Sequence, residues 1–133
     1  MMRAIAMSAA LMAAPAAAQE VEALTCIFEQ ECLTGEACAA TTFEITVVER
    51  RGAAPDPDAE DAEAETETLL RTIAGDIDVV SAAETGEGRA WLGLDGLDSH
   101  ALSVASDRSA VYTAQIPAAE MALTYLGDCE GLG

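Results

Sequence analysis

The chain contains no lysine, and its six basic residues, all arginine, stand against 24 carboxylates, for a net charge of −18 over 133 residues. So little positive charge disfavours binding to phosphate backbones, because nothing would displace their counterions. It disfavours anionic membrane surfaces for the same reason. The sequence also lacks Gly-x-Ser-x-Gly, His-Glu-x-x-His, Cys-x-x-Cys and any Gly-rich phosphate loop. The sharp strand-to-helix serine, the paired zinc ligands, the dithiol and the phosphate cradle that those motifs build are therefore not encoded. After residue 18 no apolar run approaches the roughly 20 residues that a spanning helix needs. There is no internal repeat, and no cofactor or metal is expected.

The positive charge that is present begins with Arg3, the only charge before Glu20. Ile5 to Ala14 is apolar apart from Ser8, Pro15 breaks the run, and Ala16 and Ala18 are small residues ahead of Gln19. A basic start, a short apolar centre and an Ala-x-Ala end predict a signal peptide over residues 1–18. Cys26 lies too far downstream to serve as a lipid-anchor cysteine. The expected product is periplasmic or secreted, one domain over residues 19–133, with five arginines against 24 carboxylates and a net charge of −19.

Four cysteines, Cys26, Cys32, Cys38 and Cys129, then enter an oxidising compartment. Zinc sites favour shorter Cys-x2–4-Cys spacings, so disulfides are expected in preference to a metal. Three connectivities are possible. Cys32 and Cys38 bracket Leu-Thr-Gly-Glu-Ala, where Gly35 permits a tight turn. Cys26 lies in the first predicted strand and Cys129 just past the last. The predicted pairs are Cys26 with Cys129 and Cys32 with Cys38, against the alternative of Cys26 with Cys32 and Cys38 with Cys129.

Apolar residues recur at period two in short runs broken by turn residues, the signature of β-strands. Leu24, Cys26 and Phe28 share a face, as do Phe43, Ile45 and Val47. A hairpin is expected from Thr68 to Ala82 with its turn at Gly75-Asp76, although Glu63 to Ile73 also scans as a helix. Ala90, Leu92 and Leu94 alternate with Trp91, which faces the other way. Further strands follow around Leu102, from Val111 to Ile116, and through Met121, Leu123 and Tyr125. About eight short strands in a meander predict a small antiparallel β-sandwich or barrel. Residues 52–67 hold seven carboxylates, two prolines and no large apolar residue. They are expected to form an acidic disordered loop rather than a calcium site, because the glycine of a calcium loop is missing.

His100, the sole histidine, lies near Asp98, Ser99 and Ser103, a setting for a small hydrolase. Sequence proximity does not make a triad, whose members must converge in space. Asp76 and Asp78 share a strand face, and Trp91 and Tyr112 are candidates for lining a cavity or filling the core.

The signal peptide, the opening Leu24-Thr25-Cys26, the closely spaced Cys32 and Cys38, and the ending Leu123-Thr124-Tyr125-Leu126-Gly127-Asp128-Cys129-Glu130 together resemble small uncharacterised secreted proteins of alphaproteobacteria. The resemblance implies a periplasmic setting and carries no functional residue. The expected function is a non-catalytic periplasmic or secreted acidic interaction domain. Its alternatives are an inhibitor or mask of a basic exported protein such as a lysozyme, a small hydrolase using His100, and a barrel holding a small apolar ligand. A basic protein is the expected partner class, although solubility alone also accounts for much of the acidity.

Overall fold

The period-two segments form eight strands in a computed structural model that describes residues 19–52 and 66–131. They are β1 (Gln19–Leu33), β2 (Ala39–Arg51), β3 (Thr66–Thr72), β4 (Gly75–Thr85), β5 (Gly88–Asp95), β6 (Asp98–Ala105), β7 (Ser109–Ile116) and β8 (Met121–Gly131). Each strand pairs antiparallel with its sequence neighbours, and β1 pairs with β8. The meander is thus a closed barrel, which leaves no edge strand exposed. The predicted signal peptide and most of the acidic tract lie outside the described residues.

Both predicted disulfides are present. Cys26 and Cys129 are directly opposed across the β1–β8 seam, Cα to Cα 3.9 Å, and Cys32–Cys38 closes the β1–β2 hairpin. Gly35 lies in that hairpin turn at φ 78°, a left-handed conformation that favours glycine. The two disulfides suit an extracellular or periplasmic protein.

The interior is apolar. Cys26, Phe28, Ile45, Val47, Leu70, Trp91, Leu102 and Cys129 are fully buried there, joined by smaller residues such as Ala110 and Ala114. Large and small residues alternate around it, as the taper of a small barrel requires. Gly127 shows why: it pairs with Phe28 and Ala110, and a Cβ at this position would come within 2.0 Å of the Ile27 carbonyl oxygen. The missing side chain lets β8 close against β1.

Two sequence expectations need correction. The β3–β4 hairpin turns at Ile73-Ala74, not at Gly75-Asp76, with Thr72 paired to Gly75. The Thr72 hydroxyl donates to the Gly75 carbonyl at 3.0 Å and accepts from the Ala74 amide at 3.1 Å, which fixes the tighter turn. Residues 66 and 67, assigned to the acidic tract, instead begin β3, where Thr66 pairs with Arg51 and Glu67 with Arg50. Opposite charges across the strands favour that pairing. From Thr66 onward the helical alternative is also replaced by strand.

On the outer surface of β1–β4, Glu20, Arg50, Arg71 and Asp76 form one ion-pair network. Arg50 and Arg71 reach Glu20 at 2.8 and 3.1 Å, and Arg71 reaches Asp76 at 3.0 Å. Hydrogen bonds first from Arg71 and then from Arg50 hold the Glu20 carboxyl at about 2, down from 4.5, and Arg71 lowers Asp76 in the same way. A depressed carboxyl favours the folded state above its unfolded value, and that contribution disappears as the pH falls through the folded value. The melting temperature is therefore expected to fall between pH 4.5 and about 2, a window set by Glu20. Glu20→Gln should make that fall shallower, by a modest amount because the pairs are solvated. An identical pH profile in wild type and variant would remove the network from the stability account.

The interior is apolar and the outer wall of β1–β4 carries charge, whereas a membrane-spanning barrel is apolar outside and polar within. Among the described residues no helix is long and apolar enough to cross a membrane.

Candidate functional site

One end of the barrel is open. It lies at the turns joining β1 to β2, β3 to β4, β5 to β6 and β7 to β8, and holds a cavity of about 320 Å³. Alternation brings Phe43 of β2, His100 of β6, Tyr112 of β7 and Tyr125 of β8 to its wall. The rings of Phe43 and Tyr125 stack with centroids 4.7 Å apart, and His100 lies nearly parallel to Tyr112 at 6.0 Å. His100 Nδ1 and the Tyr112 hydroxyl share a hydrogen bond of 2.5 Å. Burial pushes the Tyr112 hydroxyl up to about 12 and raises that of Tyr125, so both phenols are neutral at physiological pH.

The chemistry available there is limited. Ser99 and Ser103 alternate with His100 along β6 and therefore point to the outer surface, while His100 points inward. The imidazole and the two seryl hydroxyls lie on opposite sides of the sheet, so the sequence neighbours do not converge as a serine nucleophile and its base must. The hydroxyl of Thr72 also lines the cavity, but its proton goes to the Gly75 carbonyl. All four cysteines are in disulfides. Among the described residues no group of three His, Cys, Asp or Glu side chains is placed to hold a metal ion.

Of the two aromatics picked out in the sequence, Tyr112 lines the mouth and Trp91 does not. Trp91 is 1% exposed in the core, with the Arg89 guanidinium 4.7 Å from its ring. Sequence reasoning missed Phe43 and Tyr125 as mouth residues, although both lie on predicted inward faces. It weighed Asp98 only as a sequence neighbour of His100 and did not single out Asp95, whereas both sit at the lip of the cavity.

A second concavity lies on the outside of the barrel. Val80, Leu92, Leu94, Ser99, Ala101, Thr113 and Gln115, from β4 to β7, line a groove of about 680 Å³ that Asp78 of β4 borders. Val80 is 68% exposed, Leu92 49% and Leu94 70%. The strand register sets this face apart. The outward positions from Ala90 to Leu94 on β5, Ser99 to Ala105 on β6, Ser109 to Gln115 on β7 and Ala122 to Leu126 on β8 carry no charge. The outward positions of β1–β4 instead include Glu20, Glu22, Glu44, Arg50, Glu67, Arg71, Asp76 and Asp78. The barrel is therefore charged on one half of its outer wall and neutral, with apolar side chains, on most of the other. No protein-family model, curated protein or solved structure matches the chain.

Proposed function

We propose that the protein is a non-catalytic, extracytoplasmic binding domain that docks a basic protein through the neutral outer face of β5–β7. The observation that supports this is the segregation of charge. In a chain of net charge −18, a contiguous wall of β5–β7 free of charge, carrying exposed Leu92 and Leu94 and bordered by Val80 and Asp78 of β4, stands out. Exposed apolar patches of this kind mark contact surfaces, and the cores of protein interfaces are depleted in charge. The surrounding carboxylates draw a basic partner in over long range, and the groove supplies the close contact. A second copy of this chain is a poor occupant, because two strongly acidic bodies repel. Masking or inhibition of a basic exported protein is one form that this docking takes.

The test is capture from a periplasmic extract on immobilised protein, with Leu92→Arg/Leu94→Arg beside the wild type and each run at low and high salt. The wild type should retain basic proteins at low salt and lose most of them at high salt. The variant, whose substitutions are on the outer surface, should fold and retain none of them. Retention of the same proteins by both would overturn the assignment of the face. Concentration-dependent dimerisation of the wild type in sedimentation, abolished in the variant, would assign the groove to self-association instead.

A further inference from the structure

The mouth of the barrel has a chemistry of its own, independent of the docking face. Asp95 and Asp98 end β5 and begin β6, and the register places them directly opposite each other across the Gly96-Leu97 turn. Alternation puts both on the inward face shared with His100. Like charges opposed in this way destabilise a strand pair. Among the described residues neither carboxylate takes part in an ion pair, while Arg50, Arg71 and Arg89 pair with Glu20, Asp76 and Glu84. Below this lip the wall is formed by the rings of Phe43, Tyr112 and Tyr125, with Leu123 and Ala114 one row nearer the lip.

We propose that the mouth binds a small organic cation, an amine or quaternary ammonium carried on an apolar body. The carboxylates at the lip supply the countercharge, and the charge of the ligand relieves their mutual repulsion. Aromatic faces attract a cation within about 6 Å of the ring centroid, more strongly where water is excluded. A bare metal ion is the poorer fit: of the three carboxylates lining the cavity Asp76 is held by Arg71, and no group of three His, Cys, Asp or Glu side chains among the described residues is placed to hold a metal ion. Anions are repelled by the lip and by the whole molecule. The volume of about 320 Å³ lies at the small end of the range for ligand pockets, so a single-ring compound is the right scale.

The experiment compares benzyltrimethylammonium with its neutral isostere neopentylbenzene and with benzoate, each titrated into the protein and followed by NMR. The cation is expected to shift the resonances of Phe43, His100 and Tyr125, and to bind about tenfold or more tightly than either comparator. Asp95→Asn/Asp98→Asn should weaken the cation by about tenfold, leave neopentylbenzene unchanged, and leave the melting temperature unchanged or higher, since the repulsion is gone. Equal affinity for the cation and the isostere would show an apolar cavity without charge selection and overturn the proposal. So would an absence of shifts at the mouth with the cation, or an Asn pair that binds it as well as the wild type. The wild-type ligand series decides the question even if the double variant is perturbed.

Discussion

Replacing Cys26 and Cys129 together with alanine is expected to cost about 5 kcal/mol of unfolding free energy, against about 2 kcal/mol for the same replacement of Cys32 and Cys38. The difference follows from loop length. The first bond spans a sequence separation of 103 and the second of 6. A cross-link that closes a longer loop removes more entropy from the unfolded chain. The longer bond also joins β1 to β8, the one pairing in the barrel whose partners are distant in sequence. Domains of this size are commonly stable by only about 5–15 kcal/mol, so its loss should bring the barrel close to unfolding. Urea unfolding of the two double variants under identical conditions measures both costs. Equal losses, or a larger loss at Cys32–Cys38, would show that the seam is held by its backbone pairing alone.

The second large effect is at Trp91. Trp91→Ala should destabilise by about 3–5 kcal/mol, the usual cost of deleting a large buried aromatic. The neighbouring Leu92→Ala and Leu94→Ala should each stay within about 0.5 kcal/mol, as exposed substitutions do. Thermal or urea unfolding of the three variants checks the contrast. A costly Leu92→Ala beside a tolerated Trp91→Ala would turn β5 inside out and remove the proposed docking face.

This strand also shows where legibility in the sequence ends. Alternation from Ala90 to Leu94 revealed a strand and two faces, but both faces are apolar, so periodicity could not say which one is buried. The bulk of Trp91, together with inward Leu102 and Tyr112 in the same row around the barrel, decides it. In β1, β2 and β8 the outward residues include Glu29, Glu44 and Asp128, and there the inward faces were evident from sequence. The choice between barrel and sandwich was not encoded locally, since it depends on hydrogen bonding between β1 and β8 across the whole chain. The cysteines were the exception, because spacing and a position at each end of the meander pointed to the correct pairs.

The sites were less legible than the fold. His100 was conspicuous as the sole histidine, and its polar sequence neighbours pointed to hydrolysis. In a strand, however, adjacent residues face opposite ways. Ser99 and Ser103 are therefore separated from the imidazole by the sheet. Tyr112, which shares a hydrogen bond with His100 from the next strand, lies on its own face, as does Asp98 two positions back. The neutral outer wall was hidden for a related reason: it is visible only when every second residue of consecutive strands is read together, which requires the register.

The most direct test of binding through that wall is site-specific photo-cross-linking in cells that export the protein. A photoreactive side chain is placed in turn at Leu94 and Ala101 on the neutral face and at Glu44 on the charged face. The predicted result is a discrete adduct with a basic protein from Leu94 and Ala101 and none from Glu44. Adducts from Glu44 with none from Leu94 or Ala101 would contradict it.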